Sequence, residues 1–177
     1  MRIVAGSLGG RTLRAPRGSE TRPTSDRVRE ALFAILSSVQ GAQVLDLFAG
    51  SGALGIEALS RGAAGATFVD SASEAVTAVR RNLEQLGLEG EVLHLPALRA
   101  LACRPLIARQ YDLVFLDPPY RLASSLGPQL SSALPAILAP GARVVAESDR
   151  RAPLELELEL LRERRYGDTL IRVHVAR

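Results

Sequence analysis

Val44-Leu45-Asp46-Leu47-Phe48-Ala49-Gly50-Ser51-Gly52-Ala53-Leu54-Gly55 reads as a strand, a glycine loop and the start of a helix. Glycines at 50 and 52 permit backbone conformations that side chains forbid, and they let a ligand lie against the main chain at a helix N-terminus. A ligand site at the carboxyl end of this strand follows. Working outward, apolar strand candidates at Gln43–Leu47, Ala66–Asp70, Glu91–Leu95, Tyr111–Leu116 and Ala142–Glu147 alternate with helical stretches. Those helices fall at Leu54–Arg61, Ser73–Leu86, Ala97–Ala102 and Leu126–Leu138, with Pro135 a candidate break in the last. Continuous apolar strands alternating with helices predict an α/β domain whose parallel sheet is covered on both faces.

The tail departs from this rhythm. Leu154-Glu155-Leu156-Glu157-Leu158-Glu159-Leu160 alternates with period two, and Thr169–Val175 reads as a strand after the turn Tyr166-Gly167-Asp168. Two strands joined by a tight turn pair antiparallel, although Leu154, Leu158 and Leu161 also sit at helical spacing. Upstream, residues 1–23 read as a small hairpin or arm rich in Gly, Arg and Pro. Residues 24–177 form the main domain: a lead-in amphipathic helix over 24–40, capped by Thr24 or Ser25, and an α/β core over 41–177.

With 177 residues, 47% apolar and 23% charged, the chain fits one globular domain with a short appendage. No apolar run approaches a membrane span, and the N-terminus is too short in apolar residues for a secretory signal, so a cytoplasmic protein is expected. The single Cys103 leaves no disulfide partner, and with only His94 and His174 beside it no zinc spacing exists. His94, His174 and Cys103 read as packing or edge residues. Every basic residue is arginine; residues 1–40 carry seven against three acids, and the remainder fifteen against sixteen. Guanidinium groups fork onto phosphate and stack on bases, so the arm is either a nucleic-acid contact or a solvated basic surface.

Gly50, Gly52 and Gly55 also satisfy GxGxxG, with Asp70 eighteen residues beyond Gly52, where a ribose-binding acid belongs. That spacing alone does not separate a nicotinamide cofactor from S-adenosylmethionine. Asp46 favours the latter: a second carboxylate burdens a diphosphate site but suits a ligand carrying an ammonium group and a sulfonium centre. The structural alternatives are that Asp46 caps a neighbouring turn and that Asp70 caps the helix from Ser73.

Asp117-Pro118-Pro119-Tyr120 follows the strand Leu113-Val114-Phe115-Leu116, at the same sheet edge as the glycine loop. Consecutive prolines stiffen the backbone and remove two amide donors, leaving carbonyl oxygens as acceptors. An exocyclic nucleobase amine is a poor nucleophile because its lone pair is delocalised. If Asp117 and the Pro118 carbonyl accept its two hydrogens, the nitrogen rehybridises toward a sulfonium methyl. Tyr120 offers a stacking surface for the extruded base. A carboxylate only accepts, which matches the adjacent N1-H and N2 amino donors of guanine better than the mixed edge of adenine. No metal is required.

These residues resemble the class I S-adenosylmethionine-dependent methyltransferases with a D/N-PP-Y/F motif, and more closely the RsmD family, 16S rRNA (guanine(966)-N(2))-methyltransferases. The resemblance rests on Met1-Arg2-Ile3 with Gly9-Gly10-Arg11, on Arg22 to Phe33 (RPTSDRVREALF), on the glycine loop, on Asp117 to Tyr120, and on Glu163-Arg164-Arg165-Tyr166-Gly167-Asp168-Thr169. It implies a monomeric Rossmann-like fold with a seven-stranded, mostly parallel sheet, an antiparallel C-terminal strand and an RNA-holding N-terminal extension. It further implies a cofactor pocket lined by Asp46, Phe48, Gly50, Gly52, Asp70 and Ser71, with Asp117, Pro118, Pro119 and Tyr120 holding the target guanine. Arg11, Arg22, Thr24, Arg27 and Arg29 would meet the RNA, within the small ribosomal subunit or an assembly intermediate of it. The third strand is followed by Pro96-Ala97-Leu98 with no acid for the cofactor's adenine, so Ala97 and Leu98 would have to contribute through backbone groups. Three readings compete: amine methylation of DNA adenine or cytosine or of a protein glutamine, a dehydrogenase, and a non-catalytic RNA-binding module.

Overall fold

The computed structural model describes residues 1–16 and 25–177, the side chains of Tyr120 and Ser124 excepted. Helix α1, Asp26–Leu36, begins where the Ser25 side chain accepts from the Val28 amide at 3.3 Å, with Asp26 in its first turn. Its apolar stripe of Val28, Leu32, Phe33 and Leu36 is buried. The helix ends four residues short of the expected 40, because Ser37 turns to φ 60° and Arg143 donates to the Leu36 and Ser38 carbonyls. A guanidinium from a later strand thus satisfies carbonyls the helix end leaves orphaned.

Five parallel strands follow: β1 (Gln43–Asp46), β2 (Gly65–Asp70), β3 (Glu91–His94), β4 (Tyr111–Leu116) and β5 (Leu138–Asp149). They are joined through helices α2 (Ala53–Ser60), α3 (Ser73–Leu86), α4 (Ala97–Leu101), α5 (Arg104–Ile107) and α6 (Tyr120–Ala133). The hairpin β6 (Glu159–Tyr166) and β7 (Thr169–Val175) completes a seven-stranded sheet of order β3-β2-β1-β4-β5-β7-β6, in which β7 alone runs antiparallel to its neighbours. This is the expected architecture. Alternate residues of the central strands feed two cores. Val44, Phe68, Leu113, Phe115 and Val145 pack under α1 to α3, while Leu45, Val114, Leu116, Val144 and Ala146 pack under α4 and α6. Burial on both faces is why these strands lack polar alternation.

Two expected elements need correction, and one helix is new. The helix placed over Leu126–Leu138 instead starts at Tyr120, contains Pro128, and gives way to a 3-10 turn at Leu134–Ala136 before β5 begins at Leu138. The short helix α5 was not expected. The Leu/Glu run is not a strand over most of its length: pairing begins only at Glu159. Leu154 is nonetheless fully buried, Leu156 and Leu158 pack on the second core, and the Glu157 amide donates to Ser131 Oγ at 2.9 Å. Alternating burial needs only an extended chain lying on a surface, whereas a strand also needs a free edge to pair with. The edge of β7 is taken by Glu159–Tyr166.

The N-terminal residues form a narrow loop closed by an Arg2–Thr12 bridge. Ile3 and Leu13 are buried in the first core beside α1. The expected boundary at 23/24 lies outside the described residues. No described helix is long and apolar enough to cross a membrane.

Candidate functional site

The strand order reverses between β1 and β4, and in open α/β sheets the crevice beyond the carboxyl ends of the strands at such a reversal is where ligands bind. The loops leaving β1, β2, β3 and β4 are tied together at this edge. The Leu47 amide donates to the Phe115 carbonyl at 3.1 Å, the Ala49 amide to Val69 at 3.0 Å, and the Leu95 amide to Asp70 at 3.0 Å. Asp46, Phe48, Gly50 and Gly52 therefore share one rim with Asp70 and Ser71 after β2, Ala97 and Leu98 at the start of α4, and Asp117 one residue beyond β4.

Gly50 adopts φ +54°, and a Cβ placed on it would meet nothing within 4 Å. The backbone here faces open space in a conformation that favours glycine, a cradle suited to a ligand lying against the main chain. Gly55 serves differently: a Cβ there would stand 2.3 Å from the Phe68 ring, so its absence lets α2 settle onto β2.

Both acids carry structural bonds as well. Asp46 is buried, and its Oδ2 accepts from the Gly55 amide at 3.0 Å. Gly52, the N-cap of α2, has no side chain to cap with, so the carboxylate reaches across from β1 to satisfy a first-turn amide. Burial raises the Asp46 pKa to about 7, against the lowering effect of the Gly55 bond and with a further upward push from Asp70. A carboxyl poised there gains its charge most readily when a cation arrives beside it. Asp70 accepts from the Gly50 amide through Oδ2 at 2.8 Å and from the Ala72 amide through Oδ1 at 2.9 Å. The first bond shapes the glycine loop and the second precedes α3. Each carboxylate oxygen accepts more than one hydrogen bond, so both remain able to serve ribose hydroxyls. The open glycine, the cation-seeking buried acid and the second acid together fit S-adenosylmethionine.

Asp117 is half-buried, Pro118 buried and Pro119 exposed. Pro119 is the N-cap of α6, its carbonyl accepting from the Leu122 amide at 2.8 Å, so the proline pair joins the end of β4 rigidly to a helix.

Several polar residues not singled out in the sequence support this rim. Asn82 on α3 is fully buried; its amide donates to the Arg14 carbonyl at 3.0 Å and the Ser51 carbonyl at 2.9 Å, while its oxygen accepts from the Arg14 amide at 2.9 Å. One side chain thus binds the N-terminal arm to the glycine loop. Glu57 on α2, also fully buried, accepts from the Val4 and Ala5 amides at 2.7 and 3.0 Å and pairs with Arg61. Ser60 Oγ donates to the Ala5 carbonyl at 2.6 Å and accepts from the Leu8 amide at 3.0 Å. Polar residues inside helices ordinarily mark a solvated face. The available cue was that Glu57 sits in an apolar stretch and that Asn82 falls at helical spacing from Ala78, Val79 and Leu86, on the apolar stripe of α3.

Of the expected RNA-contacting residues, Arg11 and Arg27 are exposed, and Arg22 and Thr24 lie outside the described residues. Arg29 is corrected. It is 1% exposed, and its guanidinium donates to the Arg2 carbonyl at 2.5 Å and to Asp26 at 2.6 Å, locking the arm to α1. A residue so enclosed positions the chain and does not present charge to a ligand. His174 is buried with Nδ1 3.1 Å from the Leu158 carbonyl, and burial lowers its pKa. His94 is exposed, its Nε2 3.1 Å from the Ser71 carbonyl. Cys103 is half-buried at the N-cap of α5.

A sheet of this order, with a glycine cradle and an acid at the reversal point, defines a class I, S-adenosylmethionine-dependent methyltransferase. Residues 1–175 match the family described as Conserved hypothetical protein 95, and the chain belongs to it, the RsmD family that its motifs indicated. YlbH of Bacillus subtilis is 38% identical over 188 residues, spanning all of both chains. Ribosomal RNA small subunit methyltransferase D of Escherichia coli is 44% identical over 123 residues, covering 68% of this chain and 61% of its own. The solved structure of yhhF from Escherichia coli superimposes with a TM-score of 0.83 at 36% identity, over 99% of this chain and 97% of that one.

Proposed function

We propose that the protein methylates the exocyclic N2 amine of a guanine in 16S ribosomal RNA, guanine 966 by family resemblance, acting as a monomer in the cytoplasm on the small subunit or its assembly intermediate. The observation that carries this reading is the position of Asp117-Pro118-Pro119-Tyr120 one step beyond β4, the strand paired with β1, at the same sheet edge as Asp46 and the open face of Gly50. Relatives named ribosomal RNA small subunit methyltransferase D support the ribosomal substrate.

S-adenosylmethionine, when bound, supplies an electrophilic sulfonium methyl. Asp46 would hold its ammonium group, the backbone of Gly50 to Gly52 would receive its amino-acid portion, and Asp70 would take the ribose hydroxyls. Phe48, Ser71, Ala97 and Leu98 would border the nucleoside, the last two through main-chain groups. On the substrate side, the Asp117 carboxylate and the Pro118 carbonyl accept the two amine hydrogens, which draws the nitrogen lone pair out of conjugation and orients it. Pro119 fixes that geometry by leading directly into α6. Tyr120 stacks on the base, an interaction worth roughly 1–3 kcal/mol. The proton leaves to water after the nitrogen has gained its positive charge, so no general base is needed.

The test is a nucleoside digest, read by mass spectrometry, of ribosomal RNA, DNA and protein treated with the enzyme and labelled methyl donor. N2-methylguanosine in the RNA supports the reading; N6-methyladenine, N4-methylcytosine or methylglutamine overturns it.

A further inference from the structure

The stretch from Glu163 to Thr169 belongs to the family signature, yet the cofactor and guanine sites leave it unused. Its place in the sheet gives it a role. Leu116 pairs with Ala146, Ala146 with Arg172, and Arg172 with Glu163. One residue nearer the crevice, Glu147 pairs with Ile171 and Ile171 with Arg164. Asp117, one residue beyond Leu116, therefore stands level with Arg164. Three strand spacings separate them, about 14 Å at roughly 4.8 Å each. Arg165 lies one step further toward the crevice edge, and Arg150 and Arg151 continue past the end of β5 at the same edge.

All four arginines are exposed to solvent to some degree, and their protein partners hold them weakly. A single carboxylate, Asp168, serves both Arg150 at 3.2 Å and Arg151 at 3.7 Å. Those guanidinium side chains stay 49% and 73% exposed, and pairs so wet contribute about 0–1 kcal/mol. Arg165 shares Glu163 with Arg172. Arg164 donates to the Glu163 carbonyl and makes no ion pair among the described residues. Four arginines thus stand among three carboxylates along this lip, those of Asp149, Asp168 and Glu163, the last shared with Arg172, at successive steps beyond the level of the proposed catalytic corner.

Resting on the RNA reading above, we propose that Arg150, Arg151, Arg164 and Arg165 form a phosphate-binding lip that grips the RNA backbone flanking the target guanine. It lies across β5, β7 and β6 and is separate from the N-terminal arm. A separation of about 14 Å matches an RNA backbone leaving the corner at Asp117 and meeting its next anchoring charges within two or three nucleotides. Phosphates displace the weak pairs to Asp168 and Glu163 at little cost, and the guanidinium forks donate to their oxygens bidentately.

The experiment measures binding of a 16S ribosomal RNA fragment by fluorescence anisotropy between 50 and 300 mM salt, ranges chosen on the order of those where counterion release is visible. It compares the wild-type protein with the double variants Arg164→Gln/Arg165→Gln and Arg150→Gln/Arg151→Gln, and it titrates S-adenosylhomocysteine in parallel. Each double variant is expected to weaken RNA binding about tenfold at physiological salt and to lower the slope of log K against log salt by about 1.4, two phosphates' worth on a single strand. The S-adenosylhomocysteine Kd stays within about twofold, as expected for groups outside the cofactor pocket. RNA affinity and slope equal to wild type in both variants overturn the lip while leaving the RNA reading intact. A wild-type protein that does not bind the RNA at all overturns both.

Discussion

Replacing Asp46 with asparagine should move stability and cofactor binding in opposite directions. In the free protein the carboxyl is buried and its pKa stands at about 7, compared with 3.8 for an unperturbed group. A raised acid pKa means that the folded state holds a proton the unfolded chain has released. Stability therefore falls as pH rises from about 4 to 7 and is flat above that. Three pKa units at 1.36 kcal/mol each set a ceiling of about 4 kcal/mol on the cost of the charge. Asparagine removes the ionisation, and its oxygen can keep the Gly55 bond. Its new NH2 group needs an acceptor, which offsets part of the gain. A net gain of about 2 kcal/mol at pH 8 corresponds to a Tm increase of about 4–8 °C for a chain of this size. Binding of S-adenosylhomocysteine should weaken about 10- to 100-fold at the same pH, because a charge-assisted hydrogen bond to the ammonium group is lost. The wild-type Kd should also rise about tenfold per unit as pH drops below 7, where the carboxyl must first lose its proton, while the asparagine variant shows no such slope. Thermal melts and calorimetric titrations from pH 5.5 to 8.5, about the window the pKa defines, read all three quantities. A wild-type Kd independent of pH, or an Asp46→Asn protein less stable than wild type at pH 8, would mean that Asp46 is not a buried acid that charges to meet the ammonium group.

Asp117→Ala should retain S-adenosylhomocysteine binding and lower methyl transfer by about 10²–10³-fold, the usual loss when one preorganised transition-state contact is removed; single-turnover assays check it, and full activity contradicts the role. Asn82→Leu removes the partner of the Arg14 amide and of the Arg14 and Ser51 carbonyls at a cost of about 2–4 kcal/mol, seen as a lower denaturation midpoint, and it should weaken S-adenosylhomocysteine binding because the glycine loop loses its tie to α3. Gly6→Ala puts a Cβ 1.9 Å from the Ser60 carbonyl oxygen at a φ of +85°, so the arm must lift from α2. Faster amide exchange at Val4, Ala5 and Leu8 would report this, and unchanged protection would count against the arm's docking. Replacing Arg11, Arg22 and Arg27 together should flatten the salt dependence of RNA binding by about 0.7 per lost phosphate.

The parallel core was legible because its chemistry is local. Tyr111–Leu116 and Ser73–Leu86 were read with correct ends: the first is an apolar run broken by a single exposed residue, Asp112, and the second is an amphipathic helix stopped by Gly87 in the left-handed region. The glycine loop, Asp46, Asp70 and the Asp117 corner were legible for the same reason, since each occupies a defined step after a strand. Tertiary partners decided what was missed. Helix α6 begins early because Pro119 caps it and tolerates Pro128, whereas proline in a sequence reads as a stop. The Leu/Glu run carries the right periodicity with no edge to join. Arg29 looked like surface charge until the arm folded over it, and Asn82 and Glu57 looked like ordinary polar helix positions until Arg14, Val4 and Ala5 reached them from far away in the chain.

If the corner at Asp117 prepares a guanine N2 amine for methylation, the site of labelling on the ribosome depends on that one carboxylate. The most direct test locates the label after ribosomal particles at successive assembly stages are incubated with radiolabelled methyl donor and the wild-type or Asp117→Ala protein. One labelled guanine in 16S RNA is expected, recovered as N2-methylguanosine with the wild type and absent with the variant. Label on another base or macromolecule, or equal labelling by the variant, would contradict it.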